Sequence, residues 1–136
     1  MNGFTIKAQL PSLNEYQAAC RAHWSKGREM KKNTEELISL YIRKAKREGN
    51  LRPVTDQVDL LVIWNERTLK RDTDNIQSAT KFILDAMRAE GIIKGDSRKY
   101  VRQIYHRIED GAASTGVEVY LYKVGELIVR VSERTT

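Results

Sequence analysis

Residues 58–65 read VDLLVIWN, a run whose apolar side chains fall on both alternations and which therefore suits a strand covered on both faces. Such a strand belongs in the middle of a sheet, so the flanking sequence must supply neighbours and cover. On the N-terminal side, Phe4, Ile6, Ala8 and Leu10 alternate with Thr5, Lys7 and Gln9, the period of a strand with one buried face, which Pro11 ends. Ser12 followed by Glu15 has the form of a capping box and predicts a short helix near 13–24. Met30, Thr34, Leu37, Ile38, Tyr41 and Ala45 recur at three- and four-residue steps, predicting a longer helix over about 28–48 closed by Gly49 and Asn50. On the C-terminal side a third helix is predicted over about 74–90, stopping at Gly91, and then strands over 100–108, 116–124 and 127–131. The order βααβαβββ predicts one α+β domain with a mixed sheet and about three helices.

Composition narrows the class. At 136 residues and 40% hydrophobic content the chain can bury one modest core. It has no apolar run of membrane-spanning length, and its opening MNGFTIKAQLPS lacks a basic start and apolar h-region, which predicts a cytoplasmic protein without membrane attachment. The single cysteine, Cys20, allows neither an internal disulfide nor a multi-thiolate metal site. Lys and Arg number 24 against 18 Asp and Glu, a net charge of +6 that favours phosphate backbones. The basic residues crowd residues 26–32 and 67–71, and Asp72 and Asp74 follow the second cluster directly. Acid embedded in a basic surround points to chemistry.

That chemistry is concentrated in residues 70–96, KRDTDNIQSATKFILDAMRAEGIIKGD. At about 100° per residue, a continuous helix puts Asp74, Ser78, Lys81 and Asp85 on one narrow stripe. Ile76, Ala79, Ile83, Ala86 and Met87 form the opposite, apolar face, so docking that face points the charged stripe outward. Asp72 lies at the mouth of the helix, and Asp96 comes from a segment able to fold back beside it. Converging carboxylates suit a hard divalent ion, which takes a few oxygen ligands plus substrate phosphate and promotes phosphodiester hydrolysis. Each residue also has a plain structural reading: Asp72 or Asp74 as a helix cap, Lys81 with Asp85 as a surface i, i+4 pair, and Asp96 as a turn residue.

Taken together, RDTDN at 71–75, KFILDAM at 81–87, Gly91, Asp96 and the following strand with Val101 resemble the RusA-type Holliday junction resolvases, especially the shorter phage and prophage members. LPSLNEY at 10–16 and the basic KGREMKK at 26–32 extend the likeness over most of the chain. The resemblance implies a homodimer that cuts branched DNA using magnesium, with manganese able to substitute. It implies Asp72, Asp74 and Asp96 as metal ligands, Lys81 as the catalytic lysine, Asn75 as a residue shaping the site, and Asp85 as the carboxylate orienting Lys81. The chain departs from the Escherichia-type pattern in two places. Gly95-Asp96 stands where that pattern has two adjacent aspartates, and about three more residues separate Asn75 from Lys81.

Arg67, Lys70 and Arg71 flank the acids as expected phosphate contacts, and Lys26, Arg28, Lys31 and Lys32 are candidates for more distant ones. His23, His106 and Trp64 read as structural, while the role of Asn14 and Tyr16 stays open. The sequence thus predicts a magnesium-dependent, structure-selective DNA endonuclease acting in DNA recombination or repair. The alternatives are a non-catalytic branched-DNA-binding module and a nuclease acting on RNA.

Overall fold

Strand β2, Val58–Glu66, runs through the middle of a four-stranded mixed sheet, between β4 (Gly116–Lys123), which pairs on its other side with β1 (Asn2–Ile6), and β3 (Val101–Asp110). A computed structural model of the chain describes residues 1–127. In chain order its elements are β1 (Asn2–Ile6), α1 (Leu13–Ala22), α2 (Trp24–Arg47), β2, α3 (Thr73–Gln77), α4 (Thr80–Ala89), β3 (Val101–Asp110) and β4 (Gly116–Lys123). This is the expected α+β class. From residue 128 onward, the strand expected over 127–131 lies outside the described residues.

Alternation along β2 sorts its side chains between two environments. Val58, Leu60, Val62 and Trp64 join the main core with Phe4 and Ile6 of β1, Val117, Val119 and Leu121 of β4, Ile38 and Ile42 of α2, and Ile83 and Met87 of α4. The intervening residues face the other way, where polar pairings with the flanking strands do part of the covering. Asp59 is fully buried under a two-pronged hydrogen bond from Arg102 (3.0 and 2.7 Å), and Asn65 donates to Glu118. Trp64 is core, its indole N–H donating to Nδ1 of His106 at 2.9 Å, which accounts for both residues structurally. Burial holds the His106 imidazole below its ordinary pKa, in keeping with an acceptor nitrogen at that bond.

Three boundaries differ from the sequence reading, each for a local reason. β1 ends at Ile6 rather than Leu10, because its partner β4 begins at Gly116 and the pairing stops at Ile6 with Val117. α2 begins at Trp24, four residues early, because His23 caps it: its Nδ1 accepts from the backbone N–H of Ser25. The single helix expected over 74–90 is two helices. At the joint, the N–H of Ala79 bonds back to Ile76 and that of Phe82 to Ala79, three-residue steps that tighten the turn. Ser78 and Thr80 hydroxyls cap the carbonyls of Asn75 and Gln77 there. The expected stops hold: at Gly91, with φ 73°, Ile92 N–H reaches Met87 and Gly91 N–H reaches Arg88, a left-handed helix end that favours glycine.

β2 and β3 are parallel, so the chain between them must cross over, and α3 and α4 make that crossing. The acidic motif therefore begins just past the C-terminal end of β2. Asp96 returns just ahead of the N-terminal start of β3.

Candidate active site

The segments singled out in the sequence meet along the α3–α4 crossing. Ser12 caps α1, accepting from the N–H of Glu15 at 3.1 Å and donating to its carboxylate at 3.2 Å. The cap fixes the first turn of α1, whose Asn14 N–H donates to Oδ1 of Asn75 at 3.1 Å. Asn75 thus ties the LPSLNEY segment to the acidic motif. Tyr16, one turn past Ser12, packs edge-on against Phe82 of α4. Ser12, Leu13, Tyr16, Lys31, Ser78, Lys81 and Phe82 line a pocket of about 250 Å³ between these elements.

Lys81 sits at the centre of the charged cluster. Its ammonium donates to Oδ2 of Asp96 at 2.5 Å and lies 3.1 Å from Oδ1 of Asp85. The Asp96 bond, then Asp85, raises the Lys81 pKa above its ordinary 10.5, and the same Lys81 bond holds the Asp96 carboxyl below 3.8. Both groups are therefore fully charged at neutral pH. Arg88 adds a looser contact to each acid, 3.8 Å to Asp85 and 4.0 Å to Asp96.

Asp85 is not on an outward, solvated stripe, as a continuous helix would have it. Helix α2 lies against α4, Asp85 is 7% exposed, and Lys31 reaches it at 3.8 Å. Buried Oδ1 of Asp85 meets the Lys81 ammonium as an ion pair at 3.1 Å, and buried Oε1 of Glu35 on α2 has no hydrogen-bond partner. The two carboxyls are within hydrogen-bonding reach of each other. Burial, with Asp85 adding to it, raises the Glu35 pKa against the opposing pull of Lys31. Glu35 was not among the sequence candidates. Its i, i+4 spacing from Lys31 was legible, but only the packing of α2 on α4 brings it to Asp85.

Asp72 caps α3 by position, yet its side chain makes no cap hydrogen bond, and Asp74 Oδ1 accepts only the backbone N–H of Asn75. Both are exposed. Among the described residues, no three His, Cys, Asp or Glu side chains are grouped so as to hold a metal ion. The expected convergence is therefore partial: Asp96 does fold back onto the crossing, but against Lys81, and it does not complete one ligand group with Asp72 and Asp74. The topology gives the reason. Asp72 and Asp96 enter from opposite ends of the crossing, and Lys81 lies nine residues past Asp72, beyond the joint between α3 and α4. The donors themselves suit magnesium, which binds through one or two carboxylates, waters and substrate phosphate.

The Gly95 departure has a steric correlate, since a Cβ there would stand 3.0 Å from the Tyr100 ring. Among the basic candidates, Arg67 and Lys70 are exposed beside Asp72, and Lys26, Arg28, Lys31 and Lys32 are exposed along α2. Arg71 corrects the expectation that it grips phosphate. Its guanidinium forks onto Glu66 at 3.0 and 2.9 Å and donates to the Leu10 carbonyl at 3.0 Å, so it braces the site from beneath. No protein-family model matches this chain, and no curated protein matches it. Among the described residues no helix is long and apolar enough to cross a membrane.

Proposed function

We propose that this protein is a RusA-like, magnesium-dependent endonuclease that cuts branched DNA, with each subunit of a homodimer serving one of two opposed strands. A two-fold substrate suits a two-fold enzyme. The observation that carries the reading is spatial: Asn14 bonds to Asn75, Lys31 and Lys81 both reach Asp85, Lys81 holds Asp96, and Ser12, Tyr16, Lys31, Ser78 and Lys81 line one pocket. These are the stretches on which the family likeness rests.

Asp72 and Asp74 are the residues that would hold magnesium, or manganese in its place, while Asp96, expected beside them, is held by Lys81. A bound cation would supply a polarised water and offset charge on the phosphorus oxygens. The chain's own groups do the rest. Lys81, charged through its two carboxylates, offers a fixed ammonium to a phosphate oxygen or the leaving group. Asp85 holds that ammonium from one turn away, and Asn75 holds the α3 mouth against α1. Arg67 and Lys70 grip the incoming backbone, with the α2 lysines and Arg28 farther along.

The test is cleavage of four-way, Y-shaped and linear DNA and of RNA, each with and without magnesium. Magnesium-dependent cutting concentrated on the branched DNAs is the expected result. Preference for RNA would replace the substrate assignment, and tight binding of branched DNA without cutting by metal-loaded protein would leave only a binding module.

A further inference from the structure

Trp24 opens α2 with 68% of its surface exposed, an unusual placement for the largest apolar side chain. Nothing in the fold accounts for it. Its ring touches only the edge of its own helix, with the His23 ring centroid 5.5 Å away and the Arg28 guanidinium 5.4 Å from its centre. Among the described residues the other tryptophan, Trp64, is buried and hydrogen-bonded.

The surroundings indicate what would cover the ring. Trp24, Arg28 and Lys31 recur at four- and three-residue steps and so share one face of α2, with Lys32 alongside. Trp24, Ser25, Arg28, Glu29 and Lys32 line a shallow depression on that face. Glu29 is the lone acid there against Arg28 and Lys32, with Lys26 and Lys31 adjoining, so the patch is net positive. A flat aromatic ring among cations matches a polyanion that carries flat rings, which is the chemistry of an unpaired nucleotide. The same helix face leads to the site: Lys31, seven residues on and about 10 Å along the axis, contacts Asp85 beside Lys81.

We infer that Trp24 is a base-stacking platform for an unpaired nucleotide of the DNA, held by Arg28 and Lys32 on its phosphates and leading the strand along α2 toward Lys81. The inference rests on the nuclease reading and specifies the part of the substrate it takes. A base opened at a branch stacks on the indole, whereas a base inside a continuous duplex offers no open face. The platform therefore contributes selectivity for branched over linear DNA.

The test follows tryptophan emission and affinity by titrating magnesium-free full-length protein with a splayed Y-shaped DNA and with a duplex of the same sequence. Splayed DNA should quench the exposed Trp24 while the duplex does not. Trp24→Ala should abolish that quench and weaken splayed-DNA binding by about five- to a hundredfold, with duplex binding unchanged. Trp24→Phe, which keeps an aromatic face, should bind splayed DNA within about threefold of the parent. Circular dichroism of each variant checks that α2 is intact. An absent quench, an unaltered affinity in Trp24→Ala, or an equal loss on both DNAs overturns the platform, and the nuclease reading survives if wild-type protein still cuts branched DNA. Wild-type protein that neither binds nor cuts any branched DNA overturns both.

Discussion

The ammonium of Lys81 lies between two carboxylates, and each partner's titration should report the other. Replacing Lys81 with Met removes the hydrogen bond that holds Asp96 down, so the Asp96 carboxyl should move up toward 3.8 in a carboxyl-resolved NMR titration. Stabilisation from that ion pair is present above 3.8 and lost as pH falls through the lower folded value. On the lysine side it is present below 10.5 and lost as pH rises through the higher folded one. Cleavage by Lys81→Met should fall by about 10²–10³ in rate, the scale for losing a group that stabilises developing charge. Glu35 should behave in the opposite sense to Asp96. Its folded pKa is raised, so its burial costs nothing at low pH and destabilises the fold as pH climbs through the folded value, which lies above 4.5. Glu35→Gln keeps a hydrogen-bond donor for Asp85 without the charge. Urea denaturation should show the variant gaining on the parent as pH rises from 4.5 toward neutrality, and a constant difference across that range would contradict the raised Glu35 pKa.

At the scale of elements, the site depends on how closely helices pass. α1 and α2 cross at Gly27, where a Cβ would fall inside the van der Waals contact of the Cys20 thiol. Gly27→Ala should therefore destabilise the fold by about 1–3 kcal/mol in thermal or urea unfolding, despite alanine's higher helix propensity. Pairing it with Cys20→Ala should recover part of that loss, a coupling a double-mutant cycle can measure. A neutral or stabilising Gly27→Ala would show that the crossing is looser than described. The helices themselves were legible in the sequence. The Ser12–Glu15 cap, the apolar steps of α2, and the glycines ending α2 and α4 are local signals, and they formed as read. The joint at Ser78 and Ala79 was not legible, because side-chain capping of Asn75 and Gln77 carbonyls competes with helix continuation without disturbing apolar periodicity. The exposure expected for Asp85 failed for a different reason: helical phase says which face a residue occupies, but not that α2 will lie on it.

At the scale of the whole molecule, the run at 58–65 identified the central strand, and the parallel pairing of β2 with β3 was the part that pattern alone could not supply. That pairing decides the layout of the site. It sends α3 and α4 across the sheet, opens the acidic motif at one end of the crossing, and returns Asp96 from the other to meet Lys81. Sequence spacing therefore identified Lys81 with Asp85, while Asp96 was expected with Asp72 and Asp74 and its arrival at Lys81 depends on three-dimensional paths that spacing does not encode. Arg71 shows the same limit, since its place beside Asp72 suggested phosphate and only the fold reveals the Glu66 carboxylate beneath it. On the proposed function, exposed acid at the mouth of α3 supports hydrolysis while the surrounding basic surface binds the DNA. Its most direct test is Asp74→Asn, assayed for magnesium-dependent cleavage and for binding of a four-way junction. The account predicts cleavage reduced at least about 100-fold with junction binding equal to or tighter than the parent's, the lost charge easing approach of phosphate. Cleavage at the parental rate would contradict it.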